Sequence, residues 1–292
     1  WTFNLRKGVK FHSGNEMTAD DVVYSFKRLL ERGEAPSWIF AQFVDDPDMI
    51  EKVDVYTIRM TTKDPISFGI LGSTLLFTTG SIIDKETVEA HSTEESPWAN
   101  SWLADHDAGS GAYELKQWVR ANQLQFKAFD DYWRGKPPTE TIIMLDIPEP
   151  TNQKMLLEKG DIDIAWNLLS DQIEELKDSD IISILEGVSS DQQYLAMNVG
   201  YEPFSNKKVR NAVKWAIDYE GIKDIRKGAI TLNQTFLTPG FLGFLDLSPY
   251  ERDVDKAKQL MKEAGYEDGF EVTLLGSPTT PTPDRKSTRL NS

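Results

Sequence analysis

Segments with strand periodicity alternate with segments of helical periodicity, and this alternation constrains the fold more than any other feature of the chain. Residues 141–147 form an apolar run that predicts a strand. A helix is predicted over residues 151–160, with Thr151 as N-cap and Gly160 as stop signal, and apolar alternation predicts a further strand over 161–166. Strand, helix and strand in this order indicate an α/β lobe with a mixed sheet.

Capping signals and apolar periodicity predict helices and strands elsewhere in the chain. Thr18 and Asp21 have capping-box spacing, and apolar residues follow at helical spacing until Gly33 ends the helix. Two alternating runs, residues 113–119 and 123–129, predict a β-hairpin. Further strands are predicted at residues 1–5, 53–60, 194–198 and 271–275, and further helices at 209–217 and 253–264 with Gly265 after the last one. The chain of 292 residues is too long for one small domain, so two lobes or parts of three are expected.

Charge and composition exclude several classes of function. The chain carries 47 acidic and 32 basic residues, a net charge of −15, so its surface repels nucleic acid and anionic membranes. No cysteine is present, which excludes disulfides, thiolate zinc sites and cysteine nucleophiles. No apolar run approaches the roughly 18 residues that a membrane span needs.

The sequence offers little for catalysis or metal binding. Asp161 and Asp163 lie on one face of the predicted strand, where a solvated edge explains them better than acid–base chemistry. The triplet of residues 105–107, Asp-His-Asp, with His91 nearby has ligand-like chemistry, but adjacent loop residues do not easily face one ion, so a surface loop is favoured. His12 is expected to be structural, with its ring bonded to local backbone. We therefore predict no catalytic residue, no metal and no cofactor.

Binding residues are expected at the ends of predicted strands and at a glycine-rich loop. Trp166 and Asn167 end the strand 161–166, and ligands in α/β sheets bind outside the carboxyl ends of strands. Tyr194 and Asn198 lie at the two ends of the predicted strand 194–198. The backbone of Gly109, Ser110 and Gly111 can approach a ligand closely because two of these residues lack a Cβ atom. Core packing is the alternative for Trp166, and a tight turn is the alternative for the loop.

Several segments, taken in order, resemble the bacterial extracellular solute-binding proteins that include oligopeptide- and dipeptide-binding proteins. They are WTFNLRKGVKFHSG (residues 1–14), MTADDVVYSF (17–26), GSGAY (109–113), DYWRGKP (131–137), LEKGDID (157–163), YLAMN (194–198), VRNAVKWAID (209–218) and AKQLMKEAGYEDGF (257–270). One departure is Ala112, where members of the family usually have proline. The family's chains also begin before the segment resembling residue 1 and continue beyond residue 275.

The resemblance implies an α/β fold of the periplasmic-binding-protein-like type (type II, cluster C), two-lobed with an extra peripheral domain and here truncated at both ends. Residues 1–107 resemble the peripheral domain and the entry to the first lobe, and 108–197 the central part of the first ligand-binding lobe. Residues 198–276 resemble the incomplete beginning of the second lobe. Residues 277–292 lack apolar periodicity and are expected to be a disordered tail, with 285–292 of non-native origin.

The function that the resemblance implies is binding without chemistry. It implies a substrate-binding component of an ABC transporter, which captures peptides between two lobes and delivers them to permease subunits in the membrane. Such a protein is expected to be a periplasmic or extracellular monomer, lipid-anchored or soluble, without a nucleic-acid partner. Nickel complexes, sugars or opines are alternative ligands, because relatives bind them, and a carboxylate-dependent hydrolase is the alternative from another class.

Overall fold

The computed structural model describes residues 1–166, 168–187, 189–227 and 229–275. These residues belong to two compact units, one from Trp1 to Asp146 and one from Ile147 onward. The predicted tail, residues 277–292, lies outside the described residues. None of the helices in the described part of the chain is long and apolar enough to cross a bilayer.

The first unit begins with a three-stranded antiparallel sheet. Its strands are β1 (Thr2–Asn4), β2 (Ile50–Asp54) and β3 (Thr57–Met60), in the spatial order β1-β3-β2. The single strand predicted over residues 53–60 is wrong, because the chain turns back between β2 and β3. The Asp54 carboxylate accepts a hydrogen bond from the backbone N–H of Tyr56 at 2.8 Å, which is the side-chain turn that lets aspartate reverse a strand.

Helix α1 (Ala19–Arg32) is the longest element of the first unit and confirms the predicted capping box. Thr18 is the N-cap, its backbone N–H donates to Asp21 Oδ2 at 2.8 Å, and Gly33 ends the helix in the left-handed region with φ of 60°. The other helices of this unit are α2 (Ser37–Ala41), α3 (Phe68–Leu75), α4 (Lys85–Ala90) and α5 (Asn100–Leu103), with 3₁₀ turns at Pro47–Met49 and Thr78–Gly80.

A core of fully buried apolar side chains joins α1 to the first sheet. Phe26 of α1 stacks on Phe40 of α2 with ring centroids 4.9 Å apart. The cluster consists of Ala19, Val22, Phe26, Phe40, Val44, Ile50, Ile58, Met60 and Leu71. Because dispersion contacts and apolar burial both scale with such close packing, this cluster is the main source of stability in the first unit.

A second antiparallel sheet completes the first unit. Strands β4 (Tyr113–Val119) and β5 (Gln123–Ala128) form the predicted hairpin, and β6 (Thr141–Leu145) pairs with β5 on its other side. The expectation of a mixed sheet in this region is wrong. Both sheets in the described part of the chain are antiparallel throughout, since no strand after β6 pairs with it in parallel.

The second unit is helical in its described residues. Its helices are α6 (Pro150–Lys159), α7 (Ser170–Leu176), α8 (Lys207–Ala216), α9 (Tyr219–Ile225) and α10 (Val254–Glu263). Glu149, and not Thr151, is the N-cap of α6, whereas Gly160 ends it as predicted with φ of 76°. Helices α8 and α10 pack against each other, with Asp253 capping α10 and Gly265 following it at φ of 82°.

The strands predicted at residues 161–166, 194–198 and 271–275 are absent. Over residues 147–166, 168–187, 189–227 and 229–275 the chain forms no strand. Apolar alternation specifies which faces a strand would have, but a strand exists only where a neighbouring segment satisfies its backbone N–H and C=O groups. In this unit the described residues offer no such neighbour.

Candidate functional site

The loop of Gly109, Ser110 and Gly111 lies in the first unit, directly before β4. Two of its carbonyl groups accept hydrogen bonds from His12: the Gly109 oxygen from the His12 backbone N–H at 2.9 Å, and the Gly111 oxygen from His12 Nε2 at 3.0 Å. The loop is therefore fixed by a residue about a hundred positions earlier in the chain. It is a positioned segment of backbone and not a free surface loop.

His12 is itself held by Asp107. Its Nδ1 lies 2.6 Å from Asp107 Oδ1, while the other oxygen of that carboxylate accepts from the backbone N–H of Leu115. Since a carboxylate and a carbonyl are both acceptors, both ring nitrogens of His12 must donate, which is the hydrogen-bonding pattern of the imidazolium form. The His12 ring also meets Phe129 edge-on, with centroids 4.9 Å apart.

The pKa shifts of His12 and Asp107 agree with the hydrogen bonds between them. Burial acts to lower the pKa of His12, but the bonds to Asp107 and Gly111 outweigh it and raise that pKa above its usual 6.5. Burial likewise acts to raise the pKa of Asp107, but the bonds from His12 and Leu115 hold it below its usual 3.8. Both pKa shifts therefore favour the charged forms, the imidazolium of His12 and the carboxylate of Asp107.

A second carboxylate, Asp84, fixes the same region from the other side. It is buried and accepts hydrogen bonds from the Ser13 hydroxyl at 2.6 Å and the Asn15 amide at 3.0 Å, and its backbone N–H donates to the Ala108 carbonyl at 2.9 Å. Burial acts to raise the pKa of Asp84, but the bonds from Ser13 and Thr87 hold it below its usual value. The loop is thus held to the turn at residues 11–15 at several points.

The glycines of the loop are not required by the local backbone. Neither Gly109 nor Gly111 has a positive φ. A Cβ atom on Gly109 would meet only His12 Cε1 at 3.8 Å, and one on Gly111 only the Tyr113 carbonyl at 3.9 Å, both ordinary contact distances. In the described residues, the Ser110 hydroxyl has no hydrogen-bond partner within the protein. Two residues without a Cβ atom and an unengaged hydroxyl are what close approach of a ligand needs.

Trp166 lies in the second unit and is not part of a core. The residue is 76% exposed, and its backbone N–H donates to Gln153 Oε1 of α6 at 3.2 Å. Core packing, the alternative explanation for this indole, is therefore contradicted. Asn167, predicted beside it, lies outside the described residues.

Tyr194 and Asn198 also lie in the second unit, in the irregular segment before α8. Tyr194 is 80% exposed, and Asn198 is exposed with its side-chain oxygen accepting from the backbone N–H of Gly200 at 3.0 Å. Asn198 thus shapes a local turn and retains its amide N–H groups. Within the described residues Trp166 and Tyr194 form no aromatic pair.

The side chains of the triplet Asp105, His106 and Asp107 point to different partners. Asp105 pairs with Arg120 at 3.0 Å, His106 stacks on Trp102, and Asp107 binds His12, so the triplet diverges. His91 stacks on the same indole at 4.1 Å between centroids. Among the residues that the structure describes, no group of three or more histidine and acidic side chains is arranged to hold a metal ion.

Sequence reasoning missed the partners of His12. It assigned the ring to local backbone, whereas the ring binds Asp107 and Gly111, 95 and 99 residues away. The signal that was available is the F-H-x-G turn at residues 11–14 together with the acidic residue just before the loop 109–111. Without a contact map, nothing in the sequence joins those two segments.

The chain is similar to known proteins over nearly its whole length. The sequence profile of the middle region of the bacterial extracellular solute-binding proteins, family 5, matches residues 1–289. The chain is 30% identical to heme-binding protein A of Haemophilus influenzae, over 98% of this chain and 55% of that protein. It is 29% identical to the dipeptide-binding protein of Escherichia coli, over 95% of this chain and 54% of that protein.

A solved structure shows the same fold. The periplasmic binding protein DppA of Helicobacter pylori, in complex with the peptide STSA, superposes with a TM-score of 0.76 at 27% identity, covering 92% of this chain and 55% of that one. The chain spans about half the length of the curated relatives it matches. Its α/β architecture is that of periplasmic peptide-binding proteins. The chain belongs to the bacterial extracellular solute-binding proteins of family 5.

Proposed function

We propose that the protein is the substrate-binding component of an ABC importer and that it captures peptides. The observation that carries the proposal is the match of the family profile over residues 1–289, joined to a structural relative that holds a peptide. The dipeptide-binding relative supports the same ligand class. Because this chain spans about half of those relatives, the proposal concerns the whole protein and not these residues alone.

Peptide capture in this proposal uses main-chain hydrogen bonds and an apolar wall. An extended peptide is held by backbone groups, as an added strand would be, and hydrated pockets accept varied side chains. The loop of Gly109, Ser110 and Gly111 supplies backbone groups that a peptide can approach closely, together with one hydroxyl. Trp166 supplies a broad apolar surface. Tyr194, Asn198 and Asn167 are the further candidates for polar contacts with the peptide.

His12 has a positioning role in this scheme. It donates hydrogen bonds to the carbonyl oxygens of Gly109 and Gly111, so the other polar groups of the loop are held in one orientation toward solvent. A preorganised loop loses less conformational entropy when a ligand binds, and its affinity is correspondingly higher. The division into segments 1–107, 108–197 and 198–276 remains part of the proposal, with the His12–Asp107 pair next to the first boundary.

The proposal includes partners and location. The permease subunits of the importer would recognise the ligand-bound shape, and the protein would act as a monomer in the periplasm or at the cell surface, lipid-anchored or soluble. Binding without chemistry is the coarser statement that the relatives support, since those reported above are binding proteins. No catalytic residue, cofactor or nucleic-acid partner is part of the proposal.

Calorimetric titration of the complete protein with di- to pentapeptides tests the ligand class. We expect micromolar or tighter binding of at least one length class, and roughly tenfold weaker binding after Trp166→Ala, because an indole wall contributes on the order of 1–2 kcal/mol. Trp118→Ala, in an exposed strand position away from the loop, is the matched control and leaves affinity unchanged.

Other ligands are tested on the same protein. Heme is included because one relative is a heme-binding protein, and nickel complexes, sugars and opines complete the panel. Binding of one of these without any peptide binding would replace the peptide assignment while keeping the solute-binding one. Cleavage of peptides or glycosides by the purified protein would instead favour a hydrolase.

A further inference from the structure

A positively charged aromatic patch lies in the first unit, apart from the loop of residues 109–111. The guanidinium carbon of Arg6 and that of Arg134 each lie 4.4 Å from the ring centroid of Trp133. Two cations share one indole, which attracts both through its ring quadrupole. We call Arg6, Trp133 and Arg134 the Arg–Trp–Arg patch.

Two neighbouring contacts hold the patch in place. The segment that follows β1 and the segment that follows β5 run side by side, joined by the ion pair of Lys10 with Asp131 at 2.7 Å and by the edge contact of His12 with Phe129. The stacking of Arg6 on Trp133 is the third contact between these two segments. Both segments are therefore positioned before any ligand arrives, which reduces the entropic cost of binding.

The two arginines of the patch lack acidic partners. Over residues 1–166, 168–187, 189–227 and 229–275, neither guanidinium forms an ion pair or a hydrogen bond with another group of the protein. Other arginines do: Arg59 pairs with Glu51, and Arg252 pairs with Asp218. The acids closest in sequence are already engaged: Asp131 by Lys10 and Asp130 by Lys136 near Arg134, and Glu16 by the Tyr56 hydroxyl on the side of Arg6. In a chain of net charge −15, an unneutralised pair of this kind needs an explanation.

The geometry points to an acidic segment of a partner protein as the ligand: we propose that the Arg–Trp–Arg patch is a docking site for two carboxylates on one such segment. A guanidinium that lies over an indole keeps its in-plane N–H donors free for bidentate carboxylate binding. The two guanidinium carbons are no farther apart than twice 4.4 Å. That span accommodates carboxylates one helical turn apart, at roughly 5–6 Å, or at alternate strand positions, at roughly 7 Å.

The chemistry of the patch favours a protein partner over a lipid surface. Trp133 is 37% exposed and packs beside Tyr132, and tryptophan, tyrosine and arginine are the residue types that dominate binding energy at protein interfaces. An anionic bilayer would repel the rest of this acidic chain, whereas one short acidic segment contacts the patch alone.

Fluorescence anisotropy of a labelled peptide of alternating glutamate and serine tests the proposal at low salt, about 20 mM, where exposed charges are weakly screened. Arg6→Gln with Arg134→Gln should weaken binding roughly fivefold or more. The matched control is Arg59→Gln with Arg252→Gln, which changes net charge equally and should alter affinity less than twofold. The same peptide with glutamine in place of glutamate should not bind.

The alternatives give distinct results. Equal weakening in both double variants would show attraction by net charge alone and overturn the proposal, and so would binding to phosphatidylglycerol vesicles without peptide binding. Self-association that the patch variant abolishes, measured by ultracentrifugation, would replace the acidic partner with a second copy. Circular dichroism of each variant checks folding. Arg134→Gln alone, in an exposed turn, supplies the test if the double variant unfolds.

Discussion

The two units of the chain bury their apolar side chains to very different extents. In the first unit, Phe40 and Leu71 are fully buried and belong to one continuous cluster. In the second unit, Leu185 is 95% exposed and Phe236 is 93% exposed, although both are large apolar residues. The first unit has two sheets, whereas the described residues of the second have none.

This difference shows that apolar residues build structure only where the chain supplies partners. Residues 161–166 alternate as a strand does, and 194–198 were predicted as a buried strand. Neither segment has a paired neighbour among the described residues, so most of their side chains are exposed. The second unit has a few buried apolar side chains, among them Leu176 of α7 and those between α8 and α10. Val209 and Ala212 of α8 are buried there, and Ala257 of α10 is buried as well.

A matched pair of substitutions tests the comparison with the largest expected effect. Phe40→Ala should lower the free energy of unfolding of the first unit by about 3–5 kcal/mol, because it leaves a cavity in a closed core. Phe236→Ala should change stability by no more than about 0.5 kcal/mol, because its side chain is already in water. Hydrogen exchange measured peptide by peptide during denaturant titration separates the two units.

An effect of several kcal/mol from Phe236→Ala would contradict the comparison. It would mean that this side chain is covered in solution, by another part of the complete protein or by another copy. Repeating the measurement across a range of protein concentrations distinguishes those two causes.

The His12–Asp107 pair gives the next largest effect. Asp107→Asn should destabilise the first unit by about 2 kcal/mol, since it removes a charge-assisted hydrogen bond from a mostly buried ring. The pKa of His12 is raised, so its contribution is complete below pH 6.5 and is lost as the pH rises through the raised value. The pKa of Asp107 is lowered, so its contribution is present above pH 3.8 and is lost as the pH falls through the lowered value.

The loss on Asp107→Asn should therefore be greatest between about pH 4 and 6.5 and should shrink as the pH rises from 6.5 through the raised pKa of His12. Thermal melts of the two proteins across this range measure it. Asp105→Asn, which breaks only an exposed pair with Arg120, is the control. A constant difference from pH 5 to 8 would show that His12 does not ionise in this range.

The N-cap of α1 gives a smaller effect. Thr18→Ala removes the cap hydroxyl of a helix that packs on the core, and we expect it to lower the free energy of unfolding by about 1 kcal/mol. Thr231→Ala, at an exposed position of the second unit outside any helix, should have no measurable effect. Equal effects of the two substitutions, measured by denaturant unfolding, would show that the cap contributes nothing.

Local signals in the sequence predicted much of the first unit. The capping box at Thr18 and the hairpin of β4 and β5 are confirmed, because each depends on residues only a few positions apart. The Asp54 turn that splits residues 53–60 is also local, but its signal was hidden by alternation that continues through it. The contact of His12 with Asp107 spans 95 positions, and no local pattern determines which distant segment satisfies a given ring.

The same reasoning explains the outcome for the predicted binding residues. The sequence indicates which residues have side chains suited to binding, but not whether those side chains are exposed. The structure shows that Trp166 and Tyr194 are exposed. Exposure depends on what packs against a residue, which single-segment patterns do not contain. The Arg–Trp–Arg patch was missed because its members lie in two segments that become neighbours only through tertiary contacts.

The smallest expected effect concerns what holds α8 to α10. Lys208 of α8 pairs with Glu263 of α10 at 2.9 Å, but both side chains are well exposed, so screening and side-chain entropy offset most of the attraction. Lys208→Met should cost no more than about 0.5 kcal/mol, whereas Val209→Ala, at the adjacent fully buried position, should cost about 1–2 kcal/mol. Hydrogen exchange of the two helices measures both. A larger loss of stability from Lys208→Met would mean that the packing of α8 on α10 depends on charge. The two units would then differ in the type of interaction that stabilises them as well as in the burial of their apolar side chains.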